Sequence, residues 1–152
     1  MTEQAEPVQI TVNVQYVKDF SFESPHAPHI FGPSTAAPTI NMGVNAQTRN
    51  LAPNTYEVLL MLKMEASLEN KTAFIAELSY GGVFSIPNMP EDQLKMFLLV
   101  EGPRLLFPFA RSIIANAVRD GGFPQMLINP IDFLTLYQTS SSQISAPAVG
   151  SA

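Results

Sequence analysis

A run of four antiparallel strands followed by helices is the fold that the sequence predicts, and three observations predict it. Apolar and polar residues alternate with period two through most of residues 8–80, in stretches separated by proline-, glycine- or asparagine-marked links. From Pro90 onward the apolar spacing changes to three and four, the signature of helices. The chain has 152 residues, 46% of them hydrophobic, enough for one domain with a core and too few for two.

The first strand is expected over Val8 to Glu23. Val8, Ile10, Val12, Val14, Tyr16, Phe20 and Phe22 take one parity, and Gln9, Thr11, Asn13, Gln15, Asp19, Ser21 and Glu23 the other, with Val17 and Lys18 as exceptions. Asp19 and Glu23 then share the solvent face about 13 Å apart, at roughly 3.3 Å per residue, too far to chelate one ion together. "SPHAPHIFGPSTAAP" holds four prolines and a glycine and reads as an extended crossover loop. Strand pattern resumes at Ile40, Met42, Val44 and Ala46, and "NLAPN" turns the chain into "TYEVLLMLKMEASL". "ENK" is a tight connection to "TAFIAELSY", where Phe74, Ala76, Leu78 and Tyr80 face one way and Ile75, Glu77 and Ser79 the other. Gly81-Gly82 is expected to end that strand.

Pro90 suits a first helical turn, Glu91 and Asp92 suit its dipole, and Leu94, Phe97, Leu98 and Glu101 follow at helical spacing. Pro103 is expected to kink or break the helix. A second stretch, "RLLFPFARSIIANAVRD", ends at Gly121-Gly122 and is apolar on more than one face, so more protein wraps it than one small sheet supplies. A short "PIDFLTLYQ" helix follows. The expected organisation is a flexible N-terminus over residues 1–7, one domain over 8–138 and a disordered tail over 139–152.

Composition excludes several functions. Eight Lys plus Arg against thirteen Asp plus Glu give a net charge of -5, and the absence of any basic cluster argues against nucleic acid and anionic membrane as partners. "MTEQAEP" lacks the charge and apolar run of a secretory signal, and no apolar run approaches a membrane span, which predicts a cytoplasmic protein. With no cysteine there are no disulfides and no thiolate chemistry. His26 and His29 lie three apart, but in a proline-rich loop without a third ligand, so no metal is expected. No G-x-S-x-G elbow is present, and Gly81-Gly82 lacks the Lys-Ser/Thr of a phosphate loop, so neither catalysis nor a nucleotide cofactor is expected. Seven methionines suit either core gaps or an adaptable apolar groove. Only 14% of residues are charged, a hint of an obligate oligomer or a binding surface.

"KDFSFESPHAPHIF", "YEVLLMLKMEASLENKTAFIAELSYGGVFSIP" and "GPRLLFPFARSIIANAVRDGGFPQMLINPIDF", in that order, resemble the SecB protein-export chaperone family over roughly residues 8 to 138. The resemblance implies an α+β fold, a four-stranded antiparallel sheet with a long kinked helix and a short helix packed on one face, assembled as a dimer of dimers. It also implies an ATP-independent chaperone that keeps precursor proteins unfolded and delivers them to the SecA translocase motor. The family's acidic docking patch for SecA matches at Asp19, Glu23, Ile75 and Glu77, which parity independently places on the solvent face. The client groove is assigned to Phe31, Ile40, Met42, Val44, Phe133, Leu136 and Tyr137. Family members often carry a tryptophan in the crossover loop, and some carry acidic residues in the tail; this chain has neither. Two rival readings are a thioesterase of the hot-dog type, which would need a buried carboxylate in a closed pocket, and an oligomeric scaffold without a client groove.

Overall fold

The computed structural model of the chain describes residues 9–33 and 36–142. Strands β1 (Thr11–Glu23), β2 (Thr39–Ala52), β3 (Thr55–Leu68) and β4 (Lys71–Ser85) precede helices α1 (Glu91–Met96), α2 (Gly102–Asp120) and α3 (Phe133–Ser142). All four strands form one antiparallel sheet in the order β1-β4-β3-β2. The crossover loop therefore carries the chain from one sheet edge to the other, and β1 and β2 are the two edge strands.

One face of the sheet is covered by helices and the other is open. On β3 the helix-facing side chains Val58, Leu60, Leu62, Met64 and Ala66 are at most 3% exposed, and they meet Leu106, Ala110, Ile114 and Val118 of the long helix in one core. Burying each of the larger ones is worth about 1.5 to 3 kcal/mol, which is why the alternation was so regular there. Glu69 and Asn70, with φ of 51° and 64°, form the two-residue left-handed turn that joins β3 to β4. At the other end Gly122, at φ 95°, closes α2: its N–H donates to the Arg119 carbonyl and that of Phe123 to the Val118 carbonyl.

Four expectations are corrected. Gly81 and Gly82 lie inside β4 and do not end it. A Cβ on Gly81 would stand 2.8 Å from the Tyr16 ring, which crosses β4 at this point, so the glycine is a gap for a neighbouring side chain. Strand β1 has two irregularities, between Val12 and Val14 and between Val17 and Asp19. The first turns Val14 and Tyr16 onto the open face, against the parity reading; the second turns the strand back, so Asp19, Ser21 and Glu23 do face outward. Pro103 does not break the helix: a wider π turn over Phe97–Glu101 joins α1 to α2 just before it, where a missing N–H and a clash with the preceding turn would otherwise fall. Finally, α3 runs to Ser142, past the boundary expected at residue 138. Residues 1–8 and 143–152, which include the expected flexible N-terminus and most of the expected tail, lie outside the described residues.

Candidate functional site

Strand β2 and the segment after α2 build an apolar cleft of about 570 Å³ at the β2 edge of the sheet. Ile40, Met42 and Val44 line it from β2, Met64 from β3, Met126 through Ile131 from the connecting segment, and Leu136 from α3. Alternation on β2 aims its three residues at one side, and Asp132 starts α3 by accepting the Thr135 N–H at 3.2 Å and the Thr135 hydroxyl at 2.7 Å. Those bonds hold the Asp132 carboxyl below its ordinary value. Three methionines, one each from β2, β3 and the connecting segment, give the cleft side chains that repack at little cost.

Of the seven residues assigned to a groove, Ile40, Met42, Val44 and Leu136 are brought together here. Phe133 is not a groove wall: it is 1% exposed and sits edge-on against Phe107 in the core, because the first turn of α3 must bury something against α2. Tyr137 is half-buried against the same core. Phe31 stands apart, 47% exposed, with its ring 5.0 Å from that of Phe123, which in turn contacts Phe74. Met64, Met126 and Ile128 were not singled out in the sequence. Only the β2–β3 register and the return of the chain after Gly122 bring them to the cleft.

Asp19, Glu23, Ile75 and Glu77 share the open face. Glu23 pairs with Ile75 across β1 and β4, and Glu77 pairs with Ser21, two residues from each of the β1 carboxylates. Two residues missed by sequence reasoning adjoin them: Glu65 stands opposite Ile75, and Lys63 stands opposite Glu77 with its Nζ 3.6 Å from the carboxylate.

Further along this face Glu57 is the buried charged residue of the sheet, 7% exposed. The Tyr16 hydroxyl donates to it across Gly81, Lys18 Nζ reaches both its oxygens at 3.1 and 3.2 Å, and Arg49 lies at 3.7 Å. Its oxygens are thus engaged by three partners, in a brace across all four strands and not in a closed pocket. The Tyr16 bond chiefly, and Lys18 after it, hold the Glu57 carboxyl below 4.5 against the opposing effect of burial. Burial first and Glu57 second push Tyr16 from 10.0 up to about 12. The Glu57 contribution to stability is whole above about pH 4.5 and is lost as pH falls through its lowered value; that of Tyr16 is whole below pH 10 and is lost as pH rises towards 12. Denaturant midpoints measured across pH should therefore fall less steeply on the acid side in Glu57→Gln and between pH 10 and 12 in Tyr16→Phe.

His26 and His29 line a separate polar hollow of about 300 Å³ under the crossover loop, with Glu69 and Lys71. Among the described residues no three His, Cys, Asp or Glu side chains are grouped to hold a metal ion, and no helix is long and apolar enough to cross a membrane.

The chain thus joins a helix-backed antiparallel sheet to an apolar cleft on one edge and a charged open face. The family model described as "Preprotein translocase subunit SecB" matches residues 2–144, and the chain belongs to the SecB family. It is 49% identical over 129 residues to the protein-export protein SecB of Azorhizobium caulinodans, covering 85% of this chain and 81% of that one. It is also 49% identical over 139 residues to that of Paramagnetospirillum magneticum, covering 91% and 89%. Among solved structures, a SecB-like chaperone of Mycobacterium tuberculosis in complex with a ChAD peptide from the HigA1 antitoxin has the same fold, with a TM-score of 0.67 over 80% of this chain and 90% of that one at 10% identity.

Proposed function

We propose that this chain works in the cytoplasm as a homotetramer, a dimer of dimers, that holds unfolded precursor proteins in extended form and delivers them to SecA without ATP, cofactor or catalysis. The observation that carries the proposal is the β2-edge cleft, in a chain of this family. Its apolar walls take large side chains in any order, and the free edge of β2 offers backbone groups to an extended segment. Each buried client side chain contributes about 1.5 to 3 kcal/mol before ordering costs, so several contacts on one long unfolded chain are needed for stable binding. Ile40, Met42, Val44 and Leu136 are the proposed contacts, with Met64 and Met126; Phe31 and Tyr137 extend them towards the crossover loop and α3. Delivery is assigned to the open face, at Asp19, Glu23, Ile75 and Glu77.

Support for assembly comes from the opposite edge. Phe109 is 50% exposed, Leu105 40%, Val17 49% and Phe20 37%, an apolar surface on α2 and β1 that a further copy would cover. Light scattering of the purified protein should give four times the 16.6 kDa chain mass, and addition of a reduced, unfolded precursor should raise it by one client. A stable monomer at micromolar concentration, or a tetramer that ignores the unfolded precursor, would contradict the proposal.

A further inference from the structure

Besides Lys18 and Arg49, which are taken up by Glu57, the open face sets Lys63 directly beside the carboxylates of the proposed docking patch. Lys63 and Glu77 are directly opposed on β3 and β4, their side chains about half exposed, with Nζ 3.6 Å from the carboxylate. Glu65, two residues along β3 on the same face, lies within about 7 Å of Lys63 at strand rise, and Asp19 lies one strand beyond Glu77. Asp19, Glu77 and Lys63 line one hollow of about 370 Å³ together with Met61, Ser79 and, from β2, Asn45. Asp19 and Glu23, by contrast, have no cation directly opposed on β4, where their partners are Ser79 and Ile75.

We propose that Lys63 is an intramolecular competitor at the docking face: it occupies Glu77 in the free chain and is displaced when a cationic side chain of the docking partner enters the hollow that Asp19 and Glu77 line. This rests on the reading of the open face as the SecA docking surface. The ion pair is exposed and weak, so it yields to a better-placed cation, but its loss has to be made good by every docking event. Lys63 thereby lowers docking affinity and keeps the surface from retaining any basic chain that meets it, while Glu65 is a further carboxylate of the same surface.

Lys63→Gln frees Glu77 and is expected to tighten binding of purified SecA by about 1.4- to 5-fold, the range of one exposed ion pair. Lys63→Arg keeps the pair and should bind as the wild type. Lys95→Gln removes an equal charge from α1, where Lys95 pairs with Glu91 at 3.7 Å, and should also bind as the wild type. The tightened variant should lose its advantage as salt is raised, since the Debye length is about 8 Å at physiological ionic strength. A gain in affinity cannot come from a folding defect, so the direction of the change is diagnostic. Lys63→Gln binding no more tightly than Lys95→Gln would overturn the competitor role while leaving the docking surface intact, provided reversal of Asp19 and Glu23 abolishes binding. If that reversal also changes nothing, the surface itself is misassigned and the competitor role falls with it.

Discussion

Changing Asp19 and Glu23 together to lysine is expected to abolish docking to SecA while the tetramer and its affinity for unfolded precursors persist. Both side chains are exposed on the open face of β1, with Ser79 and Ile75 as their cross-strand partners, so the reversal removes no buried contact. Surface changes of this kind usually alter stability by no more than about 0.5 kcal/mol. A single exposed ion pair contributes only about 0.2 to 1 kcal/mol, so either substitution alone should have a small effect. Two reversals replace two attractions by two repulsions next to Glu77, and a tetramer repeats the loss on every copy that a multivalent partner engages. Titration of SecA onto wild-type and doubly reversed protein at low and moderate salt reads the effect. Unchanged affinity would remove this face from delivery, and a dissociated tetramer would show that β1 serves assembly at these positions.

The strands were legible wherever one face is fully buried. β3 begins and ends where the alternation from Thr55 to Leu68 places it, because Val58, Leu60, Leu62 and Met64 are all buried in the one core between sheet and helices. Strand β1 was legible only in part, because an edge strand with two irregularities shifts parity twice. Tyr16 shares the apolar parity of Val12 and Phe20 in the sequence; the shift after Val12 turns it onto the open face, where Glu57 supplies a hydrogen-bond partner and Gly81 the room to reach it. Of the kink or break expected at Pro103, the break does not occur, since a π turn accommodates what an unbroken α ladder could not.

The candidate site was legible to the extent that it depends on parity, and hidden where it depends on register. Asp19, Glu23, Ile75 and Glu77 could be placed on one face from alternation alone. The neighbours of Glu77 could not. An uninterrupted ladder from the Glu69-Asn70 turn sets Leu62 opposite Glu77; the extra residue Ala73 in β4 sets Lys63 there instead. Phe133 was misassigned because a short amphipathic helix offers no sequence signal for which of its apolar residues points inward and which lines a cleft. Met126 and Ile128 come from a segment without periodicity, so only the folded chain brings them to Met42 and Val44.

The second large effect is expected at the cleft. Met42 and Leu136 stand on its two walls, from β2 and α3, and both are half-buried, so a carboxylate at each can still reach water in the empty cleft. Under a bound apolar client the same carboxylates would be stripped of water without a partner, which costs far more than the contacts they replace. Met42→Asp with Leu136→Asp should therefore weaken binding of an unfolded precursor by at least about tenfold, since removal of even one buried client contact of about 1.5 kcal/mol gives that factor. The volume-conserving exchange Met42→Leu with Leu136→Met should leave affinity close to wild type, which separates loss of client contact from loss of fold. The most direct test is titration of one precursor, in its reduced unfolded form and in its native folded form, onto wild-type protein and both double variants. The expected result is tight binding of the unfolded form alone, kept by the volume-conserving variant and lost by the acidic one with the tetramer intact. A native precursor that binds as tightly as its unfolded form, or an acidic variant that holds the unfolded chain undiminished, would contradict a chaperone that works through this cleft.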